Sequence, residues 1–342
     1  MNRHPGRCGL PVPVIWPFPS LSPPAEWTSM TDTAGMPQPL RLARHAMATR
    51  FEWVLWGQTP ERLRAAGEEA LDEVDSLESA LSRYRASSDI ARVNAGSAAG
   101  PVRVSPSTFR LLERARALSE ATEGAFDITV GALLRAWGFV GGTGARPSTE
   151  ALRQARDASG WSRVALDASE FSVAFDRPGV ELDLGALGKG HALDRALELL
   201  IEAGVPHALL HGGTSSIVTR GSAPDGRAWR VGLPGPRDSA SPTTGWIAGS
   251  SATPIPRMVE LHDESLSVSA IWGKSFTEAG EELGHVLDPR TGEPVRRARC
   301  AAVMGPEAAV SDALSTALLV LGPDGRSLIE ANVPGYRCLH LE

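Results

Sequence analysis

The sequence predicts an α+β fold in which mainly antiparallel sheets pack against helices. Short alternating segments follow one another with turn residues between them, and a few longer stretches repeat apolar residues at helical spacing. Hairpins grouped in this way favour antiparallel sheet. The 342 residues can bury a large core, and 34 basic against 40 acidic residues give a net charge of −6. This balance argues against a protein that binds nucleic acid through bulk positive charge.

Residues 1–40 are predicted to be a disordered, proline-rich leader, and residues 41–342 to form one domain. The leader contains nine of the 26 prolines and shows no helical or strand period. It lacks the apolar stretch of a signal peptide, so we expect a cytoplasmic protein, with export from another start residue left open. No stretch approaches the roughly 20 apolar residues of a membrane helix. The three cysteines have neither paired nor zinc-type spacing.

The first predicted elements are one strand and three helices. Residues 51–56 alternate like a strand, and residues 62–84 carry an apolar stripe at helical spacing. Ser105 and Pro106 are typical of the start of a second helix, and a third helix covers 149–158.

Strands dominate the rest of the chain. A polar, proline-bearing insertion near 235–256 interrupts them. A helix over 190–203 is closed by a glycine, and a second helix lies within 307–321. The predicted strands are 163–168, 171–175, 180–184, 207–210, 216–219, two within 228–233 and 258–269, and a last one at 337–341.

The segment Asp183–Gly190 indicates a binding loop. It contains three glycines, which let a backbone approach a ligand closely, and it ends where helical N–H groups point at an anion. Asp183 and Lys189 add one charge of each sign. The segment is not a P-loop, because no glycine stands at the first position of that motif and Gly190 replaces its Ser or Thr. An ordinary strand-to-helix turn with a solvated lysine is the alternative.

Asp312 and Thr316 form a candidate half-site for magnesium. They are four residues apart on one predicted helix, so their oxygens lie on the same face. Their neighbours are apolar, which predicts a buried helix, and Mg²⁺ prefers such hard oxygen ligands. The alternative is that Asp312 caps the helix while Thr316 bonds back to a carbonyl.

Two further segments carry side chains with catalytic potential. His285 lies at a predicted strand end, directly before the turn Asp288–Gly292, and Asp127 follows a predicted helix exit at Gly124. A structural histidine, and a helix cap followed by a packed phenylalanine, are the alternatives at these two places.

Several segments, in their order along the chain, resemble the ApbE family, the FAD:protein FMN transferases. The resemblance covers nearly everything from about residue 45 onward, and Leu182–Gly190, His285–Gly292 and Asp312–Leu318 are its most specific parts. The full series is Met47–Phe51, Ser82–Tyr84, Gly124–Asp127, Asp183–Gly190, Gly212–Gly213, His285–Gly292 and Asp312–Leu318.

The resemblance implies an ApbE-like fold and a site for Mg²⁺ and FAD. The magnesium ligands would be Asp312, Thr316 and the backbone carbonyl of Ala186. Lys189 and His285 would lie at the pyrophosphate and act in catalysis, His285 by orienting or deprotonating the incoming hydroxyl. The residues around FAD would be Met47, Tyr84, Ala125, Phe126, Asp127, Asp183, Lys189 and His285.

The implied reaction transfers FMN from FAD to a threonine or serine hydroxyl of an acceptor flavoprotein and releases AMP. An FAD pyrophosphatase, in which water replaces that hydroxyl, and a non-catalytic FAD-binding protein are the alternatives. The chain departs from the family pattern at one place: Thr214-Ser215-Ser216 follows the paired glycines, where the family usually has an acidic or amide residue. The acceptor and the oligomeric state are left open.

Overall fold

The structure is a computed structural model that describes residues 38–233, 258–271, 274–278, 280–296 and 298–340. Within these ranges the strands are β1 (Leu40–Ala46), β2 (Thr49–Trp56), β3 (Val102–Arg103), β4 (Val164–Asp167), β5 (Ser172–Phe175), β6 (His207–Gly212), β7 (Ser216–Arg220), β8 (Trp229–Gly232), β9 (Met258–Leu261), β10 (Ser265–Ala270), β11 (Ser275–Glu278), β12 (Glu281–Gly284), β13 (Cys300–Gly305) and β14 (Arg337–His340). The helices are α1 (Pro60–Leu81), α2 (Asp89–Gly96), α3 (Pro106–Ala121), α4 (Gly131–Ala136), α5 (Thr149–Asp157), α6 (Gly188–Glu202), α7 (Ala308–Leu321) and α8 (Gly325–Asn332).

A seven-stranded sheet with the order β1-β2-β6-β7-β10-β13-β14 forms the centre of the fold. Every neighbouring pair in it is antiparallel. Successive side chains point to opposite faces: on β6, Leu210 joins the main core on one side and Leu209 a second core on the other. The predicted α+β class with mainly antiparallel sheet is confirmed.

Three helices cover one face of this sheet. Helices α1 and α6 pack against each other, and α6 packs in turn against α7, which lies across β10 and β13. Twelve of the fourteen residues of α7 are buried, as expected for a helix that is apolar nearly all round. The predicted helix within 307–321 is therefore confirmed. Helix α1 ends at Leu81, three residues before its predicted end.

The opposite face is covered by the hairpin of β8 and β9. Trp229 and Val231 of β8 and Leu261 of β9 pack there against the sheet. The polar insertion predicted near 235–256 lies outside the described residues, as does the predicted leader apart from its last three positions.

A smaller sheet, β3-β5-β4, is linked to the main core by Val173 and Phe175 of β5. The hairpin of β4 and β5 turns at 168–170, and a 3₁₀ turn at Trp161–Arg163 precedes it. A third apolar cluster, around Trp137 and Phe139, joins α4 and α5 to the hairpin of β11 and β12.

The strand predicted at 180–184 is wrong. Glu181 makes only a single parallel bridge to Val130, and Asn94 replaces a strand partner at the next residue. The Asn94 side chain donates to the Leu182 carbonyl at 3.0 Å and accepts from the Leu182 N–H at 2.8 Å. Because a side chain satisfies this backbone, the segment needs no sheet.

Other elements were not predicted, namely β1, β3, α2, α4, α8 and the strands β11 to β13. No helix of the described residues is long and apolar enough to cross a membrane. Cys300 and Cys338 are buried free thiols, and burial raises the pKa of each to about 12.

The crossing of α6 and α7 is close and specifically fixed. A Cβ added to Gly190 would lie 2.2 Å from the carbonyl oxygen of Ala308. Four residues further along α6, the Asp194 carboxylate accepts from the N–H groups of Ala308 at 2.7 Å and Ala309 at 2.8 Å. Asp194 thus caps the start of α7 from another helix, where the Glu307 side chain makes no capping bond.

We expect Gly190→Ala to destabilise the protein by roughly 2–3 kcal/mol, because the new methyl group must displace backbone. Gly188→Ala is the matched control, since a Cβ there meets only the Leu184 Cβ at 3.9 Å. Its free energy of unfolding should stay within about 1 kcal/mol of the original. Urea unfolding of both variants measures this; equal stabilities would contradict the tight crossing.

Candidate active site

Two cavities, of about 510 and 340 Å³, open beside the α6–α7 crossing. Both lie in the size range of small-molecule sites. They meet along a shared wall, which is formed by Leu134, Asp183, Gly185, Lys189 and His285. The result is one cleft with two compartments and a polar neck.

Every site residue predicted from the sequence lines this cleft. Asp183, Lys189 and His285 lie at the neck, and Met47 and Tyr84 line the smaller compartment. The larger compartment is lined by Ala125, Phe126, Asp127, Ala186, Asp312 and Thr316. The fold therefore gathers residues that are up to 269 positions apart in the sequence.

The loop before α6 is held by hydrogen bonds at both ends. Asp183 Oδ1 accepts from the N–H of Gly185 at 2.8 Å, and Asp183 Oδ2 accepts from Arg83 at 2.5 Å. Lys189 Nζ donates to the Gly185 carbonyl at 2.9 Å and lies 3.6 Å from Asp312 Oδ2. Lys189 is thus tied into the neck, unlike the solvated lysine of the alternative interpretation.

Asp312 lies in the middle of α7 and is 3% exposed. Its Oδ1 accepts from Ser216 Oγ and its Oδ2 from the Gly190 N–H, each at 3.3 Å. Thr316 Oγ1 donates to the Asp312 carbonyl at 3.2 Å. The alternative is thus half right: Thr316 does bond back to a carbonyl, but Asp312 does not cap the helix, and both side chains face the cavity.

His285 directly follows β12 at the neck. Its Nδ1 lies 3.1 Å from the Lys274 carbonyl oxygen, which can only accept, so Nδ1 carries the proton and Nε2 keeps its lone pair in the neutral ring. Burial lowers the pKa of His285 below its usual 6.5, and the charges of Lys274 and Lys189 act in the same direction. The ring is therefore neutral at pH 7.

The Ala125–Asp127 segment forms a rigid wall of the larger compartment. Gly124, with a φ of +74°, terminates the turn that follows α3, and Phe126 is buried. Asp127 Oδ1 accepts from the Thr129 N–H at 2.8 Å, while burial raises the pKa of this carboxyl. The cap and the packed phenylalanine of the structural alternative are both present, and they fix the carboxylate at the cavity.

The smaller compartment is bordered by a strained turn and an exposed ring. Met47 and Ala48, between β1 and β2, have φ values of 49° and 57°, a conformation that favours glycine or asparagine. Tyr84 is 71% exposed beside the same compartment, with the Arg83 guanidinium 5.9 Å from its ring centre. A flat ligand ring could lie against this tyrosine.

Several residues of the site were missed by the sequence analysis. Arg83 is buried between Asp183 and Glu181, with 2.7 Å to Glu181 Oε2. Lys274 lines the smaller compartment and donates to the Phe139 carbonyl at 3.2 Å. Ser216 and Ser269 contact Asp312 and Thr316. The alternating serines of β10 carried a period-two signal that could have revealed Ser269.

Asp312 and Thr316 offer oxygen atoms of the kind that Mg²⁺ prefers. Among the residues that the structure describes, no group of three or more His, Cys, Asp or Glu side chains could hold a metal ion. Asp312 and Thr316 instead line the same cavity as Ala186, the third ligand that the family resemblance implies, through its backbone carbonyl. A carboxylate, a hydroxyl and a carbonyl are hard ligands, which suit Mg²⁺ together with oxygens from a ligand or water.

Known proteins share this sequence pattern and fold. The FAD:protein FMN transferase of Vibrio cholerae is 29% identical over 269 residues, which span 77% of this chain and 74% of that protein. The FAD:protein FMN transferase of Treponema pallidum is 28% identical over 292 residues, or 82% of this chain and 77% of that protein.

Solved structures agree. The ApbE protein of Thermotoga maritima matches with a TM-score of 0.77 at 28% identity, over 89% of this chain and 94% of that one. The flavinyl transferase ApbE of Pseudomonas stutzeri matches with a TM-score of 0.73 at 25% identity, over 89% and 95%. The expected ApbE-like fold and transferase class are confirmed. The ApbE family model matches residues 47–340, and the chain belongs to the ApbE family.

Proposed function

We propose that this protein transfers FMN from FAD to a threonine or serine hydroxyl of an acceptor flavoprotein, with bound Mg²⁺, and releases AMP. The observation that carries the proposal is the shape of the cleft. Two compartments of ligand size meet at a neck that contains Lys189 and His285. FAD likewise has two ring systems joined by a pyrophosphate, and a cation at the neck would stabilise that anion. The relatives described above are named FAD:protein FMN transferases, which supports the transfer of FMN from FAD to a protein.

Asp312, Thr316 and the Ala186 carbonyl would hold the metal. The Asp312 carboxylate supports this assignment because it is buried, lines the cavity and has, among the described residues, two hydrogen bonds, each 3.3 Å long. When bound, Mg²⁺ supplies positive charge that stabilises the negative charge developing on the phosphate oxygens. Lys189, 3.6 Å from Asp312, would add a second positive charge on the neck side.

The protein's own contribution to the chemistry centres on His285. The acceptor oxygen attacks the phosphorus that bears the riboflavin, and the bond from that phosphorus to the bridging oxygen breaks. AMP leaves with the bridging oxygen, and FMN stays on the acceptor as a phosphoester. The Nε2 lone pair of neutral His285 accepts the hydroxyl proton, while its Nδ1–H bond to the Lys274 carbonyl holds the ring.

An assay with Mg²⁺, FAD and a candidate acceptor flavoprotein separates the possible activities. We expect the acceptor's mass to rise by one FMN and AMP to appear in equal amount, with both lost when the acceptor threonine is replaced by alanine. Free FMN together with AMP would instead identify a pyrophosphatase. Unchanged FAD on the protein after long incubation would identify a binding protein without transfer activity.

Asp312→Asn should lower the rate of transfer at least about 100-fold, because the amide keeps the shape of the side chain but loses the charge that holds the cation. Asp324→Ala, outside both cavities at the start of α8, is the control and should leave the rate unchanged. Rates are measured by AMP release at saturating Mg²⁺, with melting temperatures for folding. An Asp312→Asn enzyme of full activity would disprove the metal assignment.

The rate should be constant at pH 7–8 and fall as the pH drops through the pKa of His285, which lies below 6.5. Burial is the largest cause of the lowered pKa, and the charges of Lys274 and Lys189 lower it further. The charge of Asp183 and the hydrogen bond to the Lys274 carbonyl raise it. Protonation removes the lone pair that accepts the hydroxyl proton. In His285→Gln this acid limb should vanish and the rate should be low throughout. If the rate of His285→Gln falls at low pH as it does in the original protein, another group causes that fall.

A further inference from the structure

A layer of hydroxyl groups lies between the central sheet and α7. Ser265, Ser267 and Ser269 alternate along β10, so all three point to the face that α7 covers, while Leu266 points to the opposite core. Ser216 stands at the start of β7, directly opposite Ser267 in the sheet register. All but Ser269 are fully buried. Such a position in a core would ordinarily be apolar.

Three of the four hydroxyls of this layer, those of Ser216, Ser265 and Ser269, have hydrogen-bond contacts. Ser265 Oγ donates to the Gly305 carbonyl at 2.8 Å and lies 2.8 Å from Ser311 Oγ, away from Asp312 and Thr316. Ser216 Oγ donates to Asp312 Oδ1 at 3.3 Å. The layer therefore contains one serine that contacts the buried carboxylate and one that only joins the sheet to the helix.

Ser267 shows that the layer is polar at some cost in stability. Its Oγ is buried and has no hydrogen-bond partner among the described residues. A buried hydroxyl without a partner is unfavourable. This position lies directly opposite Ser216 in the sheet register. The layer thus contains hydroxyls that join the sheet to α7 and, at Ser216, one that contacts the carboxylate.

The two donors to Asp312 hold its carboxylate from both sides. Ser216 on β7 binds Oδ1 and the N–H of Gly190 on α6 binds Oδ2. Both donors are neutral, so they fix the plane of the carboxylate without cancelling its charge. Asp312 also lines the larger compartment. Partners of this kind, behind a metal ligand, orient it and typically change metal affinity 10- to 100-fold.

We propose that Ser216 is a positioning residue for the cation site: it orients Asp312 for the divalent metal without touching the metal or FAD. The inference rests on the proposed function, because it requires Asp312 to be a metal ligand.

The test is the affinity of the purified, full-length protein for Mn²⁺ alone, followed by electron paramagnetic resonance of the free ion. We expect Ser216→Ala to raise the Kd at least 10-fold. Ser265→Ala is the matched control: it removes two hydrogen bonds from the same layer and should lower the melting temperature, yet change the Kd less than twofold. Ser267→Ala, which removes the unpaired hydroxyl, should keep the Kd and not lower the melting temperature.

The outcomes separate the inference from the proposed function. If the original protein and Asp312→Asn bind Mn²⁺ equally, the metal assignment fails and the inference fails with it. If Asp312→Asn loses binding but Ser216→Ala keeps the original Kd, the metal assignment stands and the inference is overturned. Equal weakening by Ser216→Ala and Ser265→Ala would also overturn it, since general destabilisation would then explain both.

Discussion

The close approach of α6 and α7 is the constraint on which the cleft depends. Gly190 allows the two helix backbones to touch at Ala308, and Asp194 fixes the first turn of α7. The glycine loop before α6 and Asp312 on α7 then meet, so the Gly190 N–H reaches the Asp312 carboxylate. Neither helix alone could form the cleft. Both are held against the same antiparallel sheet, which sets their separation.

The cleft is also balanced in charge. Buried carboxylates are costly unless they are paired or hydrogen-bonded. Arg83 pairs with Asp183 and Glu181 beneath the loop, and Lys189 lies between the Gly185 carbonyl and Asp312. The neutral His285 adds no charge at pH 7. An anionic ligand at the neck would therefore meet a lysine whose only described partners there are a carbonyl and one carboxylate oxygen.

The sequence predicted the fold class, the family and the place of each site residue in the cleft, and for physical reasons. Asp312 and Thr316 lie four residues apart on one helix, so the position of one side chain relative to the other follows from helical spacing alone. The strand at 180–184 could not be excluded in this way, because the Asn94 side chain that replaces its partner lies 88 positions away from Leu182. Arg83, Lys274 and Ser216 were missed for the same reason: their roles arise from contacts between distant segments.

The order of strands in the central sheet has a consequence for how the protein is made. From β1 to β14 the strands follow one another across the sheet in the order of the chain, so each new strand can pair with the one already in place. During synthesis, which releases the N-terminal part first, the sheet can extend as it emerges from the ribosome. The cleft forms later, because α7, which carries Asp312 and Thr316, is followed only by α8 and β14 among the described elements. A nascent chain thus forms the first strands of the sheet well before the cleft is complete, so ligand binding can stabilise the finished protein but cannot guide the earlier steps.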